Sequence, residues 1–179
     1  TPDLTAQLAL LSDLPGRSVP GMNRRPLEGV LLTHAHVGHY LGLALLGYEA
    51  ANVRDLPVWA SDRMAAFLRT NAPWDQLVTR GNIQLQPAEP GRAIHLTETL
   101  VVEPFEVPHR AEYTDTLGYL VRGPRRRVLY IPDISPWAHW QRDLAEVAET
   151  VDVALLDGTF YSADELPGRD LEALGHPLI

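Results

Sequence analysis

The stretch LLTHAHVGHYLGL, residues 31–43, places three histidines within six positions, directly after a short apolar run of the buried-strand type. At the end of an extended strand, residues i and i+2 point the same way, so His34 and His36 can present their imidazoles to one point. His39 then enters on the first turn of the next predicted helix. Because a neutral imidazole is the commonest metal-ligand side chain, the spacing predicts a metal site. The alternative is that the three histidines cap a loop or pack in a polar core.

Composition limits the classes of function that the chain can have. With 179 residues, of which 45% are hydrophobic, we expect one α/β domain over residues 1–179. The chain has no cysteine, so a transition metal must be held by histidine and carboxylate, and a reducing, cytoplasmic location is expected. The net charge of -8 offers no general attraction for nucleic acid or anionic membranes, and no apolar run is long enough to span a membrane. We expect a small-molecule substrate and allow for a homo-oligomer.

The chain begins with Thr1 rather than with methionine. Thr1 and Pro2 are typical of a helix start, and no other segment precedes that helix. We therefore expect a fragment of a longer chain, or a processed one.

Strands and helices alternate early in the sequence, and strands follow one another in the middle, which favours packed sheets with helices outside. The predicted elements are a first helix with a stripe of Leu4, Leu8 and Leu11, a buried helix from about Gly38, a strand at PVWAS, a helix capped by Ser61, strands near 82–87, 93–97 and 100–107, a hairpin formed by TLGYLVRG and RRVLYIP, a helix from Pro136 to Glu149 capped by Ser135, and a last buried strand in VDVALLDGTF.

Further side chains that could bind a metal or transfer a proton lie at the ends of other predicted strands. His109 follows VVEPFEVP, Asp133 follows VLYIP, and Asp157 follows VALL. Each also has a simpler interpretation. His109 could be a structural histidine, and Asp133 could cap a helix. Asp157 could open a turn, and His176, further along the chain, could cap a helix. We favour a metal role for His109 and for Asp133, whereas for Asp157 and His176 the sequence supports both interpretations about equally. His95 and His139 are expected on the surface, and Trp74 and Tyr113 are candidates for the walls of a cleft.

These segments together resemble the metallo-β-lactamase superfamily, and within it proteins similar to coenzyme PQQ synthesis protein B. The resemblance is carried by LLTHAHVGHYLGL, VPHR, YIPDIS and LLDGTF. It implies a four-layer αββα sandwich, here truncated at both ends, with a metal site at one edge of the sheets. The residues that it implies are His34, His36 and His109 in a first metal site, His39 in a second, Asp133 bridging, and Asp157 orienting His176 as a proton donor.

Two departures from the family pattern bear on that expectation. The family motif usually has an aspartate two residues after the second histidine, and here Gly38 stands in that place. The chain also stops at Ile179, before the segment that carries a further histidine ligand in the family. The glycine removes a carboxylate that would bind a second metal ion and orient water.

The leading hypothesis is a metal-dependent hydrolase that uses metal-activated water on a phosphodiester, ester or lactone-like substrate, with Asp133, Asp157 and His176 assisting catalysis. The expected cofactor is zinc, as one or two ions, with iron or manganese as alternatives. A second hypothesis is an iron-dependent oxidative enzyme similar to those of PQQ biosynthesis. A third is a non-catalytic relative that keeps the fold and a metal, which Gly38 supports.

Overall fold

The computed structural model describes residues 1–12, 26–165, 167–169 and 175–178. The chain forms two compact units, Thr1–Ala88 and Glu89–Ile179, and each has a sheet and helices. The mixed α/β class predicted from the sequence is therefore confirmed. The single domain over residues 1–179 stays a prediction, because compactness of two units does not decide whether they fold independently. No helix among the described residues is long and apolar enough to cross a membrane.

The first unit contains a three-stranded parallel sheet in the order β1-β2-β3. Its described elements are α1 Leu4–Ser12, β1 Val30–Leu31, α2 Val37–Tyr40, β2 Leu56–Ala60, α3 Asp62–Thr70, α4 Trp74–Thr79 and β3 Ile83–Pro87. Strand β2 buries alternate residues, Leu56, Val58 and Ala60. Two parallel strands need a crossover connection, and α3 and α4 supply it between β2 and β3.

Local signals in the first unit place two helices correctly. The hydroxyl of Ser61 accepts a hydrogen bond from the backbone N–H of Met64 at 3.2 Å, so Ser61 caps α3 as predicted. In α1, the stripe residues Leu4, Leu8 and Leu11 are half-buried while most of their neighbours are exposed. Sequence periodicity therefore identifies the inward face of α1, and the serine cap identifies the start of α3.

The helix predicted from about Gly38 is shorter than expected. The α-helix ends at Tyr40, and a 3₁₀-helix, Leu41–Leu46, continues from it. In that segment Gly42, Leu43 and Leu46 are buried. The chain packs closely here, because a Cβ at Gly42 would lie 2.2 Å from the carbonyl oxygen of Thr1.

The second unit contains a five-stranded sheet in the order β4-β5-β6-β7-β8. Its described elements are β4 Ile94–His95, β5 Val101–Glu106, β6 Leu117–Arg122, β7 Arg127–Ile131, α5 Leu144–Glu149 and β8 Val153–Leu156, with 3₁₀ turns at Trp137–His139 and Ala163–Glu165. Strands β4 to β7 are antiparallel, and β8 is parallel to β7. The predicted hairpin is the β6–β7 pair, closed by a bond of 2.9 Å from the N–H of Gly123 to the carbonyl of Arg126.

The long helix predicted from Pro136 to Glu149 is wrong. The chain forms a 3₁₀ turn at Trp137–His139 and then starts α5 at Leu144. Asp143 causes the restart, because its carboxylate accepts the N–H groups of Ala145 and Glu146 and so caps a new helix. The apolar stripe predicted on this helix still faces the core, because all four of its members belong to or pack against one hydrophobic cluster: Trp137, Trp140, Leu144 and Val147.

The prediction that the last strand is buried is also wrong for the described residues. All four residues of β8 are exposed, and Val153 and Leu155 keep 43% and 52% of their accessible surface. Strand β8 pairs only with β7 among the strands that the structure describes, so it forms one edge of the sheet. An apolar run shows that a segment favours burial, but not whether the described chain covers it.

Candidate functional site

The first group of candidate residues follows β1. The N–H of Leu32 still bonds to the carbonyl of Trp59 at 2.9 Å, so the chain stays extended just before the histidines. Nε2 of His34 and Nδ1 of His36 lie 2.9 Å apart, and His34 is almost fully buried. The i, i+2 spacing therefore does bring these two imidazoles together.

Thr33 is a functional candidate that sequence reasoning missed. Its hydroxyl lies 3.1 Å from Nδ1 of His34, and both residues are buried. If Nε2 of His34 is to bind a metal, Nδ1 must carry the proton and donate it to an acceptor, which the Thr33 hydroxyl provides. The available signal in the sequence was a hydroxyl residue immediately before the first histidine.

His39 and Gly38 lie on α2 beside this pair. The His39 ring centroid is 4.3 Å from that of His34, with the planes tilted by 38°. The backbone N–H of His39 donates to the backbone carbonyl of His36 at 2.8 Å. Gly38 is exposed, and a Cβ built on it would meet nothing within 4 Å, so a side chain there would extend into open space.

The second group of candidates lies in the second unit. Nε2 of His109 is 3.5 Å from Oδ2 of Asp133, and the His109 side chain is fully buried. The loops that carry them are joined directly, since the N–H of Ser135 donates to the carbonyl of Pro108 at 2.7 Å. Asp133 does not cap the following turn, because Pro136 occupies the N-cap position. The alternative of a simple helix cap therefore does not apply.

Asp157 and His176 form a hydrogen-bonded pair. Oδ2 of Asp157 lies 2.7 Å from Nδ1 of His176, and the Asp157 side chain is fully buried. Oδ1 accepts the N–H of Thr159 at 3.0 Å, so Asp157 also opens the turn that the simpler interpretation predicted. The His176 ring centroid is 5.4 Å from that of His109. The proposed helix cap at His176 would involve neighbours that lie outside the described residues.

Two tyrosines near these loops are held in the neutral form. Burial raises the pKa of Tyr130, and the negative charge of Asp133 raises it further. Burial, followed by the charges of Asp115 and Tyr130, raises the pKa of Tyr119 above its ordinary range. The phenols are therefore not additional anionic ligands at neutral pH.

Each of the two donor pairs fits a divalent metal ion. Each of His34, His36, His109 and Asp133 offers one ligand atom. The donor separations are 2.9 Å for the His34–His36 pair and 3.5 Å for the His109–Asp133 pair. Two ligands of one tetrahedral zinc ion lie about 3.3 Å apart, which follows from Zn–N distances of roughly 2.0–2.1 Å. Each pair therefore has the separation of two donors on one ion.

The structure also describes the other two histidines and the two aromatic residues singled out from the sequence. His95 and His139 are exposed, as predicted. Trp74 is partly buried and packs against the core of the first unit, with its ring 4.7 Å from that of Tyr40, and its role as a cleft wall stays a prediction. Tyr113 is 64% exposed.

Two curated relatives cover most of this chain. Both are named coenzyme PQQ synthesis protein B: that of Methylobacterium nodulans is 29% identical over 180 residues, and that of Methylobacterium sp. (strain 4-46) is 30% identical over 183. In each case the match covers 93% of this chain and 56% of the relative. The chain thus spans little more than half the length of these relatives.

Two solved structures share the fold. Zn(2+)-bound PqqB from Methylobacterium extorquens matches with a TM-score of 0.76 and 22% identity, over 99% of this chain and 60% of that one. The metallo-beta-lactamase fold protein YhfI from Bacillus subtilis matches with a TM-score of 0.61 and 15% identity, over 95% of this chain and 62% of that one. The fold class predicted from the sequence is confirmed.

The family resemblance stated from the sequence is confirmed as well. The model of the beta-lactamase superfamily domain matches residues 1–177, nearly the whole chain. The protein belongs to the beta-lactamase superfamily.

Proposed function

We propose that the protein is a metal-dependent hydrolase that acts on a phosphodiester, ester or lactone-like substrate. The observation that carries the proposal is the geometry of the two donor pairs, His34–His36 at 2.9 Å and His109–Asp133 at 3.5 Å. His34, His36 and His109 would hold one divalent ion, with zinc as the first candidate and a position left for water, and Asp133 would lie beside that water. A bound divalent ion lowers the pKa of water and so supplies a nucleophile at neutral pH.

The residues around the proposed ion have distinct tasks. Thr33 would accept the Nδ1 proton of His34 in the tautomer that leaves Nε2 free to bind the ion. Asp133 sits 3.5 Å from the His109 nitrogen and orients the attacking water by accepting one of its protons in a hydrogen bond. His39, beside His34, would belong to a second metal position, but Gly38 brings no carboxylate to that position. We therefore propose that the site holds one metal ion.

His176 is the proposed proton donor to the leaving group. In the imidazolium form, Nδ1 donates to the buried carboxylate of Asp157 and Nε2 carries the transferable proton. One water is consumed: its oxygen forms the new bond to phosphorus or carbon, and one proton goes to solvent. The bond to the leaving oxygen breaks, and that oxygen takes the proton of His176. His176 then recovers a proton from solvent.

Metal analysis with matched histidine variants tests the ligand set. The purified protein is expected to hold about one equivalent of zinc, and His36→Ala and His109→Ala should each lose almost all of it. His95→Ala is the matched control, because His95 is an exposed strand residue. If His36→Ala and His109→Ala each lose only a part of the metal, and the double variant loses the sum, the two pairs bind separately and the single-ion proposal fails.

Activity assays then test the hydrolase proposal. Zinc-loaded protein is assayed on bis(p-nitrophenyl) phosphate, p-nitrophenyl acetate and a simple lactone. Turnover of at least one substrate that is lost in His36→Ala supports the proposal. Bound metal with no turnover on the whole panel supports the non-catalytic alternative.

An iron-dependent oxidative enzyme is the second candidate, and the similarity to two proteins named coenzyme PQQ synthesis protein B favours it. Histidine and carboxylate ligands with open positions also suit ferrous iron. Protein loaded anaerobically with iron or with zinc separates the two candidates. Oxygen consumption with the iron form alone would favour oxidation, whereas hydrolysis by the zinc form without oxygen uptake would exclude it.

A further inference from the structure

The carboxylate of Asp157 is saturated with hydrogen bonds. Oδ1 accepts from the backbone N–H of Thr159 at 3.0 Å and from its hydroxyl at 2.7 Å. Oδ2 accepts from the N–H of Ile134 at 3.1 Å and pairs with Nδ1 of His176 at 2.7 Å. A fully buried carboxylate needs such donors, and four of them fix both its position and its rotation.

Two of these bonds lead directly to proposed functional groups. The ring of His176 is the proposed proton donor, and the N–H of Ile134 belongs to the residue that follows Asp133. The orientation of one carboxylate therefore sets the direction of the His176 ring and the position of the loop that carries Asp133. A rotation of Asp157 about its χ2 angle would disturb both groups together.

The hydroxyl of Thr159 opposes such a rotation on the oxygen opposite the one that His176 bonds. Its bond of 2.7 Å to Oδ1 is shorter than the neighbouring backbone bond of 3.0 Å, and it lies on the oxygen that His176 does not use. The same hydroxyl lies 3.4 Å from Nδ1 of His176, beside the proton that His176 donates to Asp157.

We propose that Thr159 is a positioning residue that fixes His176 through Asp157. The proposal rests on the proposed function for its catalytic consequence, but its structural part concerns the hydrogen bond between His176 and Asp157 and needs no metal. A purely local role for Thr159 would need only its backbone N–H, which also forms the turn after Asp157. The two roles differ in whether the hydroxyl matters.

The test compares Thr159→Val, which keeps the shape and loses the hydroxyl, with Thr159→Ser, which keeps the hydroxyl. The first measurement is NMR of ¹⁵N-histidine-labelled protein, with the His176 signals assigned from His176→Gln. We expect exchange of the His176 Nδ1 proton with solvent to be about tenfold faster in Thr159→Val and restored to within about twofold in Thr159→Ser. The control is Thr150→Val, because the Thr150 hydroxyl bonds to the carbonyl of Val147 at 2.7 Å.

The second measurement is steady-state kinetics on any substrate that the zinc form hydrolyses. Thr159→Val is expected to lower kcat about 10- to 100-fold with KM and zinc content unchanged, and Thr159→Ser to restore it. Unchanged exchange of the His176 proton in Thr159→Val would overturn the proposal. If exchange changes as expected but the wild type hydrolyses nothing, the positioning role stands and the proposed hydrolase function fails.

Discussion

At the scale of single residues, the candidate site depends on neighbours of the histidines as much as on the histidines themselves. Thr33 and Gly38 flank His34 and His36 in the sequence and decide two different properties. In the proposed site, Thr33 accepts the Nδ1 proton of His34 and so leaves Nε2 for the ion, whereas Gly38 contributes no carboxylate. Both properties can be tested by single substitutions.

Thr33→Val should weaken zinc binding about 10- to 100-fold, because the proton on Nδ1 of His34 loses its acceptor in a buried position. Competition with a chromophoric chelator measures the affinity. Thr33→Ser should restore it, and Thr79→Val is the control, because the Thr79 hydroxyl bonds to the carbonyl of Asp75 on an exposed helix surface. Equal affinities of wild type and Thr33→Val would contradict the role of Thr33.

Gly38→Asp should raise the metal content from about one to about two equivalents per chain. The substitution is sterically free, since a Cβ at Gly38 meets nothing within 4 Å, and it adds a carboxylate one residue before His39. Metal analysis after dialysis against zinc gives the content, and Gly38→Asn, which adds the same shape without the charge, is the control. A content that stays at one equivalent in Gly38→Asp would show that the missing carboxylate does not limit the second position.

At the scale of elements, β8 depends on a charged contact at its start. Asp152 immediately precedes β8, and its carboxylate accepts the N–H of Arg127, the first residue of β7, at 2.7 Å. The guanidinium of Arg126 lies 3.3 Å from the same carboxylate. The backbone bond, followed by the two arginine contacts, lowers the pKa of Asp152. This exposed contact joins the ends of two parallel strands.

The lowered pKa gives this contact a defined pH dependence. A carboxylate with a depressed folded-state pKa stabilises the fold above its ordinary pKa of 3.8 and loses that contribution as the pH falls through the lower folded-state value. Asp152→Asn should therefore have a slightly lower Tm than wild type at pH 7, with the difference vanishing on acidification. Thermal unfolding from neutral to acidic pH measures it. A difference that grows as the pH falls would have the wrong sign for this mechanism.

At the scale of the whole molecule, the proposed ligands come from distant parts of the sequence, from His34 to His109. An ion that binds the folded chain and not the unfolded chain stabilises the fold by mass action. The ion would thus contribute to folding as well as to catalysis.

Removal of the metal should lower the Tm by about 10 °C, which corresponds to about 4 kcal/mol for an ion present at roughly a thousand times its Kd. Differential scanning fluorimetry with and without a chelator measures the shift. His109→Ala should show almost no shift, and His95→Ala should keep the shift of the wild type. If the chelator leaves the Tm of the wild type unchanged, the proposal that the folded chain binds an ion is contradicted.

The sequence by itself determined the family, the α/β class, the order of most elements and the side chains that stand at the strand ends. These features follow from local rules: apolar periodicity, the Ser61 cap, and the position of polar residues immediately after buried strands. They need no knowledge of the residues that are close in space and distant along the chain.

Tertiary structure decided the features that depend on distant partners. The exposure of β8 and the bonds from Ile134 and His176 to Asp157 depend on the packing around each segment. The physical reason is that a hydrogen bond or a covered surface is a property of two segments, whereas periodicity and capping are properties of one. For the same reason the sequence identified Asp157 and His176 as candidates but not the hydroxyl of Thr159, which lies 2.7 Å from Oδ1 of Asp157 and 3.4 Å from Nδ1 of His176.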